Sequence, residues 1–447
     1  MPLIKAAVLP RGEETEKIMK PVKIGVLGAY RGTSMINYCR IAKNAEVVAI
    51  CDKNEEFLLR HKKAFGDHPI AWCVSFEEFM KQDMDAVVLA NYANEHAPFA
   101  IRCLQAGKHV FSEVLPVQNM KEAVELTEAV ERSGKVYAYG ENYCYMPGPY
   151  KMRELYRAGV LGEFEYGECE YVHNCEPIWA SITYGEPDHW RNLMYANFYC
   201  THSIGPLIHM TGLRPRKVVG FEGTQIERNV RTGARGGSFG IEMITLENGG
   251  IIKSLHGGLY KDSIWYSAYG SKGRMETARE DAGAGDISKL YVNCDEYSGQ
   301  YRAGALTALN LEEEVSEAAK QFGHGGSDYY CMEQFMRKIQ GDEADIIDVY
   351  EALDMFLPGL FAYRSVLGGG IPTEIPDLRE QSVRDRWRGD TMCADPKAAG
   401  DQLIPSFSKG NPEIPDSVYM QMRKKWETEF AAENGYAAAA LSQGEKK

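Results

Sequence analysis

The sequence predicts a two-part α/β fold: a doubly wound parallel sheet, followed by an α/β domain on a large, mainly antiparallel sheet. Three observations predict it. Short β-rich apolar runs alternate with helical stretches up to about residue 140, as strands and helices do in βαβ units. The first run ends in glycine and the second in an acid. Beyond about residue 145 the period drops to two, and turn motifs punctuate it.

Taken in order, residues 22–28 (VKIGVLG) form the first strand, and residues 33–43 can then be helical. Residues 46–51 (EVVAIC) form a second strand closed by Asp52, and a helix follows at 54–65. A third strand is expected at 85–90, a helix at 95–106 ended by Gly107, a fourth strand at 109–112 and a fifth at 135–139. The clearest helix is 119–133. Met120, Ala123, Val124, Thr127 and Val130 share one face there, and Glu122, Glu125, Glu128 and Glu131 lie off it. Strands follow at 163–173, 217–225, 238–256 and 262–277, with hairpin turns at 247–250 and 269–273. Helices return at 327–340 and 346–366. Expected domains are an arm at 1–20, the parallel-sheet domain at 21–145, the second domain at 146–370 and an extension at 371–447. There is no internal repeat.

Composition narrows the function classes. The 447 residues are 44% hydrophobic and 25% charged, which fits a globular chain. A net charge of −13 argues against a nucleic-acid partner, which needs basic surface. No apolar run approaches a bilayer span, and the first residues lack a secretory signal pattern, so a cytoplasmic protein is expected. The eleven cysteines are scattered without a CxxC pair, so reduced thiols are expected and no metal site.

The first strand meets the first helix at Gly25, Gly28 and Gly32, where a Rossmann fold brings backbone N–H groups to a pyrophosphate. Counted from Gly28, the dinucleotide fingerprint is imperfect: Tyr30 and Thr33 replace two glycines, and Gly32 sits one position early. Asp52 stands where an acid binds the adenosine ribose, and a carboxylate there favours NAD over NADP. Arg31 completes the expected loop set of Gly28, Tyr30, Arg31, Gly32, Thr33 and Asp52.

The segments GKHVFSEVLP (107–116) and GENYCYM (140–146) resemble the glucose–fructose oxidoreductase / inositol dehydrogenase / MocA family, over residues 21 to about 370. The resemblance implies an N-terminal Rossmann domain and a C-terminal domain whose open sheet forms a homodimer or homotetramer contact. It also implies that Asn91, His96, Glu113 and Asn142 lie near the cofactor. The family's Glu-Lys-Pro is Glu113-Val114-Leu115-Pro116 here, so the lysine that assists at the reacting hydroxyl is missing.

One branch lacking that lysine is the NAD-dependent glycoside hydrolases typified by bacterial α-N-acetylgalactosaminidase. ENYCY (141–145), EYVH (170–173), HWR (189–191), NFYCTHSIGPL (197–207) and GHGGSD (323–328) resemble that branch. The resemblance implies that Glu141, Tyr171, Tyr199 and His202 are catalytic, and that Tyr143, His173, Trp190, Arg191, His324 and Asp328 contact the sugar. The stretch from Tyr171 to Tyr199 looks shorter than in characterised hydrolases, so the sugar is left open.

The residue types suit the chemistry. Taking hydride from a sugar C3–OH needs a base for its proton, and His or a perturbed Tyr can serve. The 3-ketone acidifies the C2 proton, the C1 group is eliminated, water adds, and the hydride returns. Two other readings stay open: a sugar dehydrogenase releasing a keto product, and a non-catalytic sugar or dinucleotide sensor. Blander readings of single residues also stand: His202 as a buried structural histidine, Trp190–Arg191 as a clamp, and His324–Asp328 as a helix-start arrangement.

Overall fold

The computed structural model describes residues 20–280, 287–295 and 306–433. The expected arm at 1–20 lies almost wholly outside them. The first sheet holds β1 (Val22–Leu27), β2 (Ala45–Cys51), β3 (Ala71–Cys73), β4 (Ala86–Leu89), β5 (His109–Ser112) and β6 (Tyr137–Tyr139). Its order is β3-β2-β1-β4-β5-β6, and every pairing is parallel. The strand order reverses between β1 and β4, the place where such sheets open a ligand crevice beyond their carboxyl ends. The expected fifth strand is the sixth, because the three-residue β3 is too short to give a periodic signal.

The second sheet holds β7 (Phe164–Val172), β8 (Pro215–Glu222), β9 (Phe239–Leu246), β10 (Ile251–Gly257), β11 (Ser263–Gly270), β12 (Gly273–Thr277), β13 (Lys289–Cys294), β14 (Thr307–Asn310) and β15 (Thr373–Glu374). Its order is β14-β13-β12-β11-β7-β10-β9-β8-β15. Among the described residues only β7 and β10 run parallel; the other pairings are antiparallel. Both expected hairpin turns fall between strands as read, joining β9 to β10 and β11 to β12.

Helices Thr201–Thr211 and Val349–Leu367 cover one face of this sheet. The approach is close: a Cβ on Gly220 of β8 would sit 2.1 Å from the Ala362 carbonyl oxygen. The second helix starts at Val349 because Asp348 caps it, accepting from the N–H groups of Tyr350 and Glu351.

The described part of the extension, residues 371–433, packs against both domains. Its first residues form β15 at the sheet edge. Arg384 and Arg388 then pair with Glu131 and Glu128 on helix Met120–Ser133 of the first domain. Helix Asp416–Glu433 crosses back to the segment around residue 180: Arg423 donates to the Tyr184 carbonyl at 2.9 Å and Lys425 to that of Pro177 at 3.0 Å. Among the described residues no helix is long and apolar enough to cross a membrane.

Candidate active site

A cleft of about 870 Å³ opens at the switch between β1 and β4. Gly28, Tyr30, Arg31, Asp52, Asn91, Glu113 and Val114 line it from the first domain, and Trp190, Arg191 and Tyr199 from the second. Gly28 has φ 96°, and a Cβ there would meet the Ala90 carbonyl oxygen at 2.3 Å, so only glycine fits this turn. Gly32 is equally confined: its Cβ would lie 2.3 Å from the Gly28 carbonyl oxygen. Asp52 accepts from the N–H groups of Ala29 (2.7 Å) and Asn54 (2.8 Å), and burial raises its pKa. Asn91 Oδ1 is buried in the cleft wall without a hydrogen-bond partner.

Beside this cleft lies a smaller cavity of about 130 Å³, lined by Tyr171, His173, Arg191, Tyr199 and His256 among others. Tyr199 and Arg191 belong to both cavities and line the wall where the two meet. The Arg191 guanidinium lies over the Trp190 ring at 4.4 Å and the Tyr199 ring at 5.3 Å, and makes no ion pair among the described residues.

His202 sits just behind that wall. Its Nδ1 is 2.6 Å from Oε1 of Glu141, which is fully buried. A carboxylate accepts, so Nδ1 carries the proton and Nε2 faces away from Glu141. Three phenol rings pack around the imidazole: Tyr143 at 4.3 Å, Tyr171 at 4.7 Å and Tyr199 at 5.1 Å between centroids. His202 is 6% exposed and lines neither cavity. Burial raises the pKa of all three phenols; at Tyr199 the neighbouring Arg191 charge opposes it. The Tyr171 hydroxyl shares a hydrogen bond with His173 Nδ1 at 3.1 Å.

Several expected contact residues are turned to other work. Asp328 is held by Arg31 through two contacts of 3.0 Å, by Asn142 Nδ2 at 2.9 Å and by His324 at 3.4 Å. Burial alone would raise its pKa, but Arg31 and His324 outweigh burial and hold it well below the carboxylate range. Arg31 also pairs with Glu113 at 2.7 Å. Arg31, Asn142, Glu113 and Asp328 therefore form a clamp between the two domains, in which both Asp328 oxygens are engaged. His96 is buried. Its two ring nitrogens face the carbonyl oxygens of Leu115 (2.9 Å) and Asn91 (3.3 Å); burial pushes its pKa down to about 4, so at neutral pH its single N–H donates to one of them and the ring stands between the two cleft loops. Thr33 bonds the Ala29 carbonyl at 3.0 Å and stays within the helix start. His324, with its side chain 39% exposed, lies 6.2 Å from the Tyr143 ring.

Residues 22–141 match the oxidoreductase family with NAD-binding Rossmann fold (Gfo/Idh/MocA), and residues 291–387 match the C-terminal domain of glycosyl hydrolase 109. The chain joins a Gfo/Idh/MocA Rossmann domain to a glycosyl hydrolase 109 C-terminal domain. It is an enzyme, and each of the two domains is similar to the family it matches. A glycosyl hydrolase family 109 protein of Solibacter usitatus is 26% identical, covering 82% of this chain and 89% of its own. One from Streptomyces coelicolor is 24% identical over 89% of this chain and 94% of its own. Among solved structures, an oxidoreductase domain protein from Kribbella flavida superposes with TM-score 0.66 at 19% identity, covering 80% of this chain and all of its own. An oxidoreductase from Agrobacterium radiobacter in complex with NAD+, L-tartaric acid and magnesium gives 0.63 at 14% identity, with 80% and 99% covered. At these identities the structures share the fold.

In this glycosyl hydrolase 109 relative, sequence reasoning missed part of both cavities. Phe57, Tyr92, Tyr184 and Trp426 wall the cofactor cleft, the last two from segments whose helices carry weak periodic signal. It also missed Glu242, Asn197 and His256 below the smaller cavity. One signal was available for Glu242. In FGIEMITL the two-residue alternation puts it in line with Gly240 and Ile244, on the buried face, where a carboxylate is out of place. Among the described residues no group of three or more His, Cys, Asp or Glu could hold a metal ion.

Proposed function

We propose that this enzyme cleaves a glycoside through transient oxidation of the sugar, with NAD recycled in each turnover. One observation carries the reading. Tyr199 and Arg191 are the shared wall of the dinucleotide-sized cleft and the smaller cavity, and the Glu141–His202 pair lies directly behind them. The residues present fit NAD. The Gly28–Gly32 turn leaves room for backbone only, as a pyrophosphate site requires. Asp52 stands at the ribose position, and Asn91, whose Oδ1 is unpartnered, lines the cleft.

Bound NAD would accept a hydride from the sugar and later return it; the chain's own residues manage the protons. Tyr199, with its pKa raised by burial, keeps its proton at neutral pH and hydrogen-bonds a sugar oxygen from the shared wall. His202 Nε2, oriented by Glu141, receives the hydroxyl proton through that phenol. Val114 lines the cleft where the family's lysine is expected and brings no ammonium, which leaves this work to the phenols and the imidazole. Once C3 is a ketone, the same cluster is placed to take the acidified C2 proton, and the C1 group leaves.

The test is a panel of nitrophenyl glycosides in deuterated buffer, with and without NAD. Expected are nitrophenol release that requires NAD, no net NADH, and deuterium at C2 of the product. Cleavage without C2 deuterium overturns the mechanism. NADH accumulating with sugar and no nitrophenol release assigns the protein to the sugar dehydrogenases instead.

The outer face of the second sheet supports assembly into a homodimer or homotetramer. Phe221, Ile251 and Tyr269 stand on it at 52%, 39% and 41% exposure, apolar area that a second copy would cover. All eleven cysteines are free thiols, which supports a reducing, cytoplasmic setting.

A further inference from the structure

The second sheet carries a polar cluster that the proposed chemistry does not use. Glu242 on β9 is fully buried, and its Oε1 accepts from Asn197 Nδ2 at 2.6 Å. Its Oε2 lies 3.3 Å from His256 Nδ1 on β10, within ion-pair distance but without hydrogen-bond alignment. His256 is 1% exposed, and neither ring nitrogen has a hydrogen-bond partner. Leaving a buried polar group unmet costs about 1–3 kcal/mol, so an unmet pair in a sheet interior calls for a ligand or a structural reason.

The register gives the ligand's place. His256 pairs with Tyr171 across the parallel β10–β7 ladder, and with Gly240 across β9. A Cβ on Gly240 would lie 2.6 Å from Asn197 Nδ2, so glycine there is what lets Asn197 reach under the sheet to Glu242. His256 thus stands beside Tyr171 on one face, and both line the smaller cavity with Tyr199 and Arg191.

We propose that His256, backed by Glu242 and Asn197, reads one hydroxyl of the sugar from the cavity floor and so sets which sugar is accepted. A hydroxyl both donates and accepts, and satisfies the imidazole in either protonation state. Glu242 acts as the positioning residue. The inference rests on the functional reading above, in that it takes the smaller cavity as the sugar site.

The test uses full-length, NAD-loaded protein and calorimetric titration. A panel of galactose, glucose, their N-acetylamino forms and their uronic acids selects the tightest binder, and its monodeoxy analogues follow. In the wild type, one monodeoxy sugar is expected to bind roughly tenfold more weakly than its parent. His256→Phe is expected to bind that pair equally while its NAD affinity is unchanged. His256→Gln, which keeps a polar tip, serves as a second variant where the phenyl ring does not pack, and is expected to retain part of the discrimination. A variant that weakens every analogue by the same factor, or none, overturns the role of His256 and leaves the functional reading intact. If the wild type binds NAD but no sugar of the panel, the functional reading falls and takes this inference with it.

Discussion

Arg31→Met cuts the clamp between the domains while keeping most of the side chain's aliphatic volume. Arg31 makes contacts of 3.0 and 3.0 Å to Asp328 and 2.7 Å to Glu113, whose side chains are 1% and 7% exposed. Removing one partner of a buried ion pair costs about 3–5 kcal/mol, chiefly because a charge is left buried and unpaired. The Arg31 side chain is itself a third exposed, so the lower end, about 3 kcal/mol at pH 7, is expected. The pH dependence gives a second check. In the wild type, Asp328 titrates below its unfolded value of about 3.9, so its contribution is present above that pH and is lost as pH falls through the folded pKa. Without Arg31, burial pushes both carboxylates up, and protonation relieves the variant. The gap between the two proteins should therefore be widest at pH 7 and narrow towards pH 4.5. Urea unfolding of the NAD-free proteins at both pH values measures it. A gap under about 1 kcal/mol at pH 7, or one that widens on acidification, refutes the clamp.

Four further outcomes are expected. Glu141→Gln should lower kcat by about 10²–10⁴ with NAD affinity unchanged, because an amide can hold His202 in the wrong tautomer; unaltered turnover of a cleaved nitrophenyl glycoside would remove Glu141 from the mechanism. Tyr199→Phe keeps the ring that packs on Trp190 and His202, so the melting temperature should hold while kcat falls about a hundredfold. Asp52→Ala should weaken NAD binding about tenfold or more, read by fluorescence titration; equal affinity would place the ribose elsewhere. His96→Gln should destabilise by about 1–3 kcal/mol at pH 7. Because its folded pKa of about 4 lies below the unfolded value near 6.5, wild-type stability from this residue is lost as pH falls between the two, and the difference from the variant should shrink over that window.

What the sequence showed plainly was local. The strand VKIGVL, the glycines at 28 and 32, and Asp52 at the next strand's end lie within one βαβ unit, where the signal is periodicity and turn chemistry. Helix Met120–Ser133 was legible for the same reason, having one apolar face and one charged face. Helix Thr201–Thr211, which carries His202, was not, since nearly all its residues are buried and Pro206 sits inside it, so neither amphipathic period nor helix propensity announces it. Its importance came instead from the motif around Tyr199 and His202.

The sequence by itself determined the two-sheet architecture and the residue types the chemistry needs, because those depend on short-range pattern. Only the tertiary structure decided their division of labour. Arg31 and Asp328 are 297 positions apart, Glu141 and His202 are 61 apart, and no local rule says that the first pair clamps the two domains or that the second meets in a buried contact beside the cleft. Nor does any local rule say that Tyr199, instead of His202, faces both cavities. Burial and long-range packing set which polar groups meet each other and which are left to meet a ligand, and these are properties of the folded chain alone.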